Sequence, residues 1–183
     1  MRLLAAVLSL VSLAACAPSP APSTPTPESE RVRIGGGTPS GLRMTSNTVA
    51  RVDTLWTPLD RVWKVLPGVY ATLEIPIEQF NSEAGTIGNS GLKLYRRLGK
   101  FPLTRYIDCG TTQIGPNADS YEVLLTVLTK VQRSRADSAT TTVATTVEAR
   151  ARPIQFRGDY VRCSSKGTLE ARLREVLNVQ LSP

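Results

Sequence analysis

Residues 120–133 read SYEVLLTVLTKVQR, and residues 140–152 read TTTVATTVEARAR. Apolar and polar residues alternate along both stretches, which are rich in Val and Thr, as is typical of strands with one buried face. The polar residues 134–138 between them favour a turn. The sequence therefore predicts a long antiparallel β-hairpin. The side chains predicted to face inward are Tyr121, Val123, Leu125, Val127, Val131, Val143, Val147, Ala149 and Ala151.

Two amphipathic helices are predicted outside this hairpin. Between residues 59 and 73 apolar residues recur at three- and four-residue spacing, and we expect Thr57 to cap this helix and Pro58 to occupy its first position. We expect Pro67 to kink or break this helix. A second apolar stripe predicts a C-terminal helix over residues 167–178.

The order of the predicted elements indicates the fold class. A first strand at residues 48–55 precedes the first helix, and the long hairpin precedes the second helix. This order favours an α+β fold, a small antiparallel sheet with two helices packed on one face. The predicted domain, residues 44–183, is long enough to form a single core.

The N-terminal residues carry a targeting pattern. Arg2 and the apolar run from residue 3 to residue 13 are typical of an export signal that is too short to span a membrane. Leu13-Ala14-Ala15-Cys16 resembles the lipobox of bacterial lipoproteins. The resemblance implies that residues 1–15 are a signal peptide. It also implies that Cys16 is the lipidation site, a cysteine that carries fatty acids such as palmitate and anchors the protein to a membrane.

Residues 16–43 predict a disordered tether between this anchor and the domain. Residues 17–30, APSPAPSTPTPESE, alternate proline with small polar residues, so they favour extended polyproline II structure and cannot form a core. By the same lipoprotein resemblance, Ala17 favours the outer membrane, with the domain facing the periplasm. The predicted location is therefore the cell envelope.

The other two cysteines, Cys109 and Cys163, form an even pair in a compartment predicted to be oxidising. We expect a disulfide bond between them. The alternative is two free, buried thiols.

Residues 62–77, VWKVLPGVYATLEIPI, and the later GTIG at 85–88 resemble the opening of the C-terminal-type domains of BamC. BamC is an accessory lipoprotein of the machinery that assembles β-barrels in the outer membrane. The resemblance covers residues 48–90 by motif and the rest of the chain by element order. It implies a helix-grip fold and an accessory role in outer-membrane protein assembly.

Five residues are candidates for contact with a ligand or a protein partner. Trp63 and Tyr70 lie on the apolar stripe of the first helix, where they either pack in the core or line a ligand groove. Arg96, Arg97 and Arg105 form a basic cluster, which is either plain surface or an anion contact.

Composition excludes several classes of site. The chain has no histidine, so it cannot assemble a Ser-His-Asp or Cys-His site by itself. The formal net charge is +7, but the basic residues are spread along the chain and aromatic residues are few, so we expect no nucleic-acid partner. The spread charge is either a soluble basic surface or an attraction to anionic lipid, lipopolysaccharide or wall polymer. We expect no cofactor and no metal.

Three functional hypotheses follow. The first is a non-catalytic envelope lipoprotein that binds a protein partner; it predicts a packed interior and an exposed apolar patch. The second is a carrier of small ligands or lipids; it predicts a cavity of about 300 Å³ or more between sheet and helix, with Trp63, Tyr70 and Tyr121 as candidate lining residues. The third is an enzyme, which would need carboxylates that converge in a cleft. No spacing in the sequence pairs its carboxylates, so we expect no enzymatic activity.

Overall fold

The computed structural model describes residues 28–32, 42–46, 50–134, 137, 139–155 and 158–182. The predicted signal peptide, Cys16 and much of the predicted tether lie outside the described residues. The elements are β1 (Glu28–Val32), β2 (Leu42–Ser46), β3 (Arg51–Leu55), α1 (Leu59–Thr72), β4 (Gln79–Asn81), β5 (Thr86–Tyr95), β6 (Arg97–Leu98), β7 (Phe101–Pro102), β8 (Ile107–Asp108), β9 (Thr111–Thr112), β10 (Gly115–Pro116), β11 (Tyr121–Arg133), β12 (Thr141–Pro153), β13 (Val161–Ser165) and α2 (Thr168–Leu181).

The predicted hairpin is confirmed as the centre of the sheet. β11 and β12 pair antiparallel along their whole length, from Tyr121 opposite Pro153 to Arg133 opposite Thr141. β5 pairs with the other edge of β11. The outer edge of β12 is shared, because β3 pairs with its first half and β13 with its second half. The described strand pairs of this main sheet are all antiparallel.

Both helices pack on one face of this sheet, which confirms the predicted α+β fold. The inward residues of β11 and β12 that were predicted from alternation are buried there, except that Tyr121 is half-buried. Leu66 of α1 and Leu173 of α2 are buried on the same side, with Val143 of β12. Apolar burial beneath the two helices therefore forms the core.

A kink or a break was expected at Pro67, and the break does not occur. α1 runs continuously through Pro67. Val62, Leu66, Val69 and Tyr70 are all buried, and this tertiary packing spans the proline and holds both halves of the helix on the sheet. The helix also begins one residue later than predicted: Pro58 precedes it, and the Pro58 carbonyl accepts the first hydrogen bonds.

The second helix extends beyond its predicted end, from residue 178 to Leu181. Its last turn packs against the start of α1, since the Arg61 guanidinium donates to the Leu181 carbonyl at 2.7 Å. Local periodicity carries no information about this distant contact.

Residues 86–95 form the single strand β5. Gly88 pairs with Leu128 of β11, next to a register irregularity between Leu125 and Val127, and has a φ of 151°. A Cβ built on Gly88 would overlap the Val127 carbonyl oxygen, so the close approach of the two strands requires glycine. Arg96, with a φ of 65°, ends the strand and turns the chain into β6.

The cysteine pair forms the predicted disulfide. Cys109 and Cys163 are buried, and their sulfur atoms are 2.06 Å apart. The bond joins the residue after β8 to the middle of β13.

Part of the predicted tether has strand structure. β1 and β2 pair antiparallel, with Glu28 opposite Ser46 and Val32 opposite Leu42. The proline and glycine content of this segment gave no sign of that hairpin. The domain boundary predicted at residue 44 falls inside β2.

Candidate functional site

The seam between the helices and the sheet is closed. Leu66, Val69 and Leu173 face Thr129 and Val143 across it, and the gap that remains has a volume of about 10 Å³. That volume is about what a single water molecule needs, and small-ligand pockets are of the order of 300 Å³ or more. Between these described residues the seam therefore leaves no room for a carried ligand.

Tyr70 is part of the core and is not accessible to a ligand or a partner. Its side chain is 0% exposed, and its hydroxyl lies 2.9 Å from Thr129 Oγ1 and 3.2 Å from the Ile87 carbonyl oxygen. Burial raises the pKa of the Tyr70 phenol to about 12, and the hydrogen bond with Thr129 acts in the opposite direction. The amphipathic stripe thus reflects packing at this position.

Trp63 lies at the border of the core. It is half-buried, and its ring packs on Phe80 of β4 with centroids 5.0 Å apart. Phe80 is exposed, so the two rings form a small aromatic patch on the surface at β4.

The predicted basic cluster gathers around the short β6–β7 hairpin. Arg97 belongs to β6 and donates to the Lys100 carbonyl at 2.9 Å. The Arg96 carbonyl accepts a hydrogen bond from the Leu103 amide. This bond joins the residue before β6 to the residue after β7. The Arg105 guanidinium lies 4.5 Å above the centroid of the Phe101 ring, a cation–π contact.

Arg105 also borders a surface groove of about 340 Å³. One wall is the segment from β7 to the short turn that follows it, and the other wall is a stripe of α2. The lining residues are Phe101, Arg105, Tyr106, Thr168, Ala171, Arg172 and Glu175. Of the five predicted contact residues, Arg105 is the one that lines this groove.

Tyr106 is the buried member of the groove lining. Its side chain is 4% exposed, and its hydroxyl makes no hydrogen bond within the part of the chain that the structure describes. Burial raises the pKa of this phenol, while the charges of Arg105 and Arg172 act in the opposite direction. The phenol is therefore a neutral hydrogen-bond donor near two guanidinium groups.

β3 forms an exposed edge that sequence analysis did not select. It pairs with β12 on one side, and no strand pairs with its other side among the described residues. Val52 is exposed, and Trp56, directly after the strand, is 86% exposed. The alternation of Val52, Thr54 and Trp56 with the half-buried Asp53 and Leu55 was the available signal.

The sheet face opposite the helices carries an ionic network centred on Glu122. The Tyr160 hydroxyl donates to Glu122 Oε1 at 2.5 Å, Arg152 Nη2 lies 2.8 Å from the same oxygen, and Lys93 Nζ lies 3.5 Å from Oε2. The bond from Tyr160, together with Arg152 and Lys93, lowers the pKa of the Glu122 carboxyl. The network ties the loop before β13 to the sheet.

Ser165 and Lys166, at the end of β13, contact different partners. The Ser165 hydroxyl donates to Glu170 Oε1 at 2.6 Å, and Lys166 Nζ donates to the Thr104 carbonyl at 2.7 Å. Glu170 is therefore turned inward, while Arg174, one helical turn later, lies 3.3 Å from Asp53. Within the described ranges, no three His, Cys, Asp or Glu side chains converge to hold a metal ion.

Among the described residues, no helix combines the length and the apolar character needed to cross a membrane.

Comparison with protein-family models and with curated proteins found no match for this sequence. The resemblances to lipoproteins and to BamC-type domains stay predictions.

Proposed function

We propose that this protein is a non-catalytic, lipid-anchored module of the bacterial cell envelope that binds a protein partner along β3. The observation that carries the proposal is the contrast between the closed helix–sheet seam and the exposed edge. The seam leaves about 10 Å³, whereas Trp56 is 86% exposed next to an edge strand.

Strand addition is the binding mode that such an edge supports. The backbone groups on the outer side of β3 have no strand partner within the described residues, and an extended segment of another protein can pair with them. Val52 and Trp56 then supply apolar contacts beside the new strand, and an exposed tryptophan is a frequent anchor of protein interfaces.

The proposed location rests on the sequence. The lipobox-like residues 13–16 support a lipid anchor at Cys16, and Ala17 supports the outer membrane facing the periplasm. The Cys109–Cys163 disulfide accords with an oxidising compartment such as the periplasm. The resemblance to BamC-type domains supports a narrower proposal, an accessory role in outer-membrane protein assembly.

The alternative is a small-ligand or lipid-binding lipoprotein that holds its cargo between sheet and helices. Its proposed lining included Trp63, Tyr70 and Tyr121. The closed seam and the satisfied Tyr70 hydroxyl leave this hypothesis without support at that place.

A site-specific crosslink tests the partner surface. A photo-crosslinking residue at Val52 of the full chain, in cells, is expected to give a discrete protein adduct. Adding Trp56→Lys is expected to abolish that adduct, because a charge at a sheet edge opposes strand pairing. The control is Ile114→Lys, at a position that is 95% exposed in the β9–β10 turn.

Adducts with lipid or wall polymer alone would contradict a protein partner. An adduct that persists in the Trp56→Lys variant would contradict the proposal that the partner binds along β3. Capture of a partner outside the outer-membrane assembly machinery would contradict only the narrower proposal, the accessory role in outer-membrane protein assembly.

The anchor has a separate test. Cys16→Ser is expected to abolish acyl labelling and to release the protein from the membrane fraction, whereas the double variant Cys109→Ser/Cys163→Ser keeps its acyl label. Correct cleavage and membrane retention of Cys16→Ser would show that the lipoprotein assignment is wrong.

A further inference from the structure

A surface groove lies between β7 and α2, and its lining residues are separate from the proposed β3 interface. Its α2 wall presents Thr168, Ala171, Arg172 and Glu175, which follow one stripe of the helix. Its other wall presents Phe101, Arg105 and Tyr106. We propose that this groove binds a singly charged oxyanion that is carried on an apolar body.

The two walls are fixed to each other before any ligand arrives. The Thr168 hydroxyl donates to the Arg105 carbonyl at 2.6 Å, and the Lys166 amide donates to the Tyr106 carbonyl at 2.8 Å. Lys166 Nζ adds a bond to the Thr104 carbonyl at 2.7 Å. A preformed site saves the conformational entropy that binding would otherwise cost.

The charges in the groove favour a monoanion. Arg172 Nη1 lies 2.7 Å from Glu175 Oε2, so that cation is paired. Arg105 makes no ion pair within the described residues, and its guanidinium is held over the Phe101 ring. The lining therefore has a net charge of +1, contributed by a guanidinium whose planar fork suits carboxylate and phosphate oxygens.

Tyr106 supplies a second hydrogen-bonding group to the groove. Its hydroxyl makes no hydrogen bond among the described residues and reaches solvent in the groove, although the residue as a whole is 4% exposed. It is therefore available to donate a hydrogen bond to an acceptor that enters the groove. An oxyanion between Arg105 and Tyr106 would accept from both.

The remaining lining is apolar. The Phe101 ring and the Ala171 methyl group flank the charged end, and the groove volume of about 340 Å³ falls within the range of small-ligand sites. A bare inorganic anion would leave this surface unused. A carboxylate on an apolar body and the phosphodiester of a lipid headgroup share the chemistry that the site selects.

Isothermal titration of the full chain in nonionic detergent tests the proposal with two pairs of probes. 4-Phenylbutyrate is compared with its neutral amide, and dihexanoyl phosphatidylglycerol is compared with dihexanoylglycerol. At least one anion is expected to bind at least tenfold more tightly than its neutral counterpart. The tighter of the two anions identifies the source as a free carboxylate or a lipid headgroup.

Variants then locate the binding. Arg105→Gln is expected to weaken anion binding about tenfold or more, because a hydrogen bond to a charged group is lost. Tyr106→Phe keeps the packed ring and is expected to weaken binding severalfold. The matched control Arg97→Gln removes a cation from the same hairpin outside the groove and is expected to leave the affinity within twofold.

The proposal is overturned if neutral and charged probes bind equally, if neither anion binds, or if Arg97→Gln weakens binding as much as Arg105→Gln. Trp56→Lys should leave probe binding unchanged. This site and the β3 interface can therefore fail independently of each other.

Discussion

The two faces of the β11–β12 hairpin differ, although the residues of both faces alternate along the same two strands. Leu125 is 0% exposed beneath the helices, while its neighbour Leu124 is half-buried on the opposite face. The first face is organised by apolar packing, and the second by the ionic network around Glu122. The difference shows that burial under α1 and α2, and not strand membership, should decide what each residue contributes to stability.

Removing the disulfide is expected to have the largest effect on the helix-covered face. Cys163 pairs in register with Ala149 on that face, and its bond closes a sequence separation of 54 residues. In the chain-entropy model a loop of this length stabilises the fold by about 4 kcal/mol. Denaturant unfolding of Cys109→Ser/Cys163→Ser should show a loss of that order. A loss below about 1 kcal/mol would mean that packing alone holds this part of the face.

Leu125→Ala and Leu124→Ala compare the two faces directly. Truncating the fully buried Leu125 should cost about 3 kcal/mol, since it leaves a cavity, whereas Leu124→Ala should cost less than about 1 kcal/mol. Urea unfolding of both variants measures the two losses. Equal losses would contradict the assignment of the core to one face.

Tyr70→Phe tests the polar contact within the buried face. Loss of the hydrogen bond to Thr129 should cost about 1 kcal/mol at neutral pH. The folded pKa of Tyr70, about 12, lies above the usual tyrosine value of 10.0, so its contribution is complete below pH 10 and is lost as the pH rises towards 12.

The wild type should therefore lose stability over that alkaline interval more steeply than Tyr70→Phe does. The difference in slope should be of the order of 1 kcal/mol per pH unit. Tyr121→Phe is the control, because Tyr121 is half-buried and its hydroxyl makes no hydrogen bond in the described part of the chain. Parallel alkaline curves for the wild type and Tyr70→Phe would contradict the raised pKa.

Glu122→Gln should have the smallest effect and should act on the open face at acidic pH. The folded pKa of Glu122 is lowered from 4.5, so its stabilising contribution is present above pH 4.5 and is lost as the pH falls through the folded pKa. Thermal unfolding between pH 7 and pH 3 should show a weaker acid dependence for Glu122→Gln than for the wild type. Glu148→Gln is the control, since Glu148 is exposed and forms no ion pair within the described ranges. Identical acid profiles for the wild type and Glu122→Gln would show that the network does not contribute.

The parts of the fold that sequence analysis predicted correctly are those with a local cause. Alternation in 120–133 and 140–152 predicted the hairpin and its buried face, and apolar spacing predicted both helices. The errors came from tertiary contacts: α1 continues through Pro67 because both halves are packed on the sheet, and α2 continues to Leu181 because Arg61 binds its end.

The candidate sites were less predictable for the same reason. Trp63 and Tyr70 lie on the same apolar stripe of α1. Tyr70 is nevertheless buried and hydrogen-bonded to Thr129, whereas Trp63 lies at the border of the core and packs on Phe80. The stripe indicates which side of a helix is apolar, but it does not indicate how deeply each member is covered.

The sequence by itself determined the faces of the long strands and the existence of the two helices, because these follow from side-chain periods within one element. It predicted the Cys109–Cys163 pair from the cysteine count together with the assignment of Cys16 to the lipobox, and it left two free thiols as the alternative. Only the tertiary structure decided that the helices close over the sheet at Leu66 and Leu173 and that Trp56 is exposed. It also decided that Arg105 and Arg172 line the same groove. The physical reason is that a groove and a closed seam depend on how distant elements dock, and local periodicity does not encode that docking.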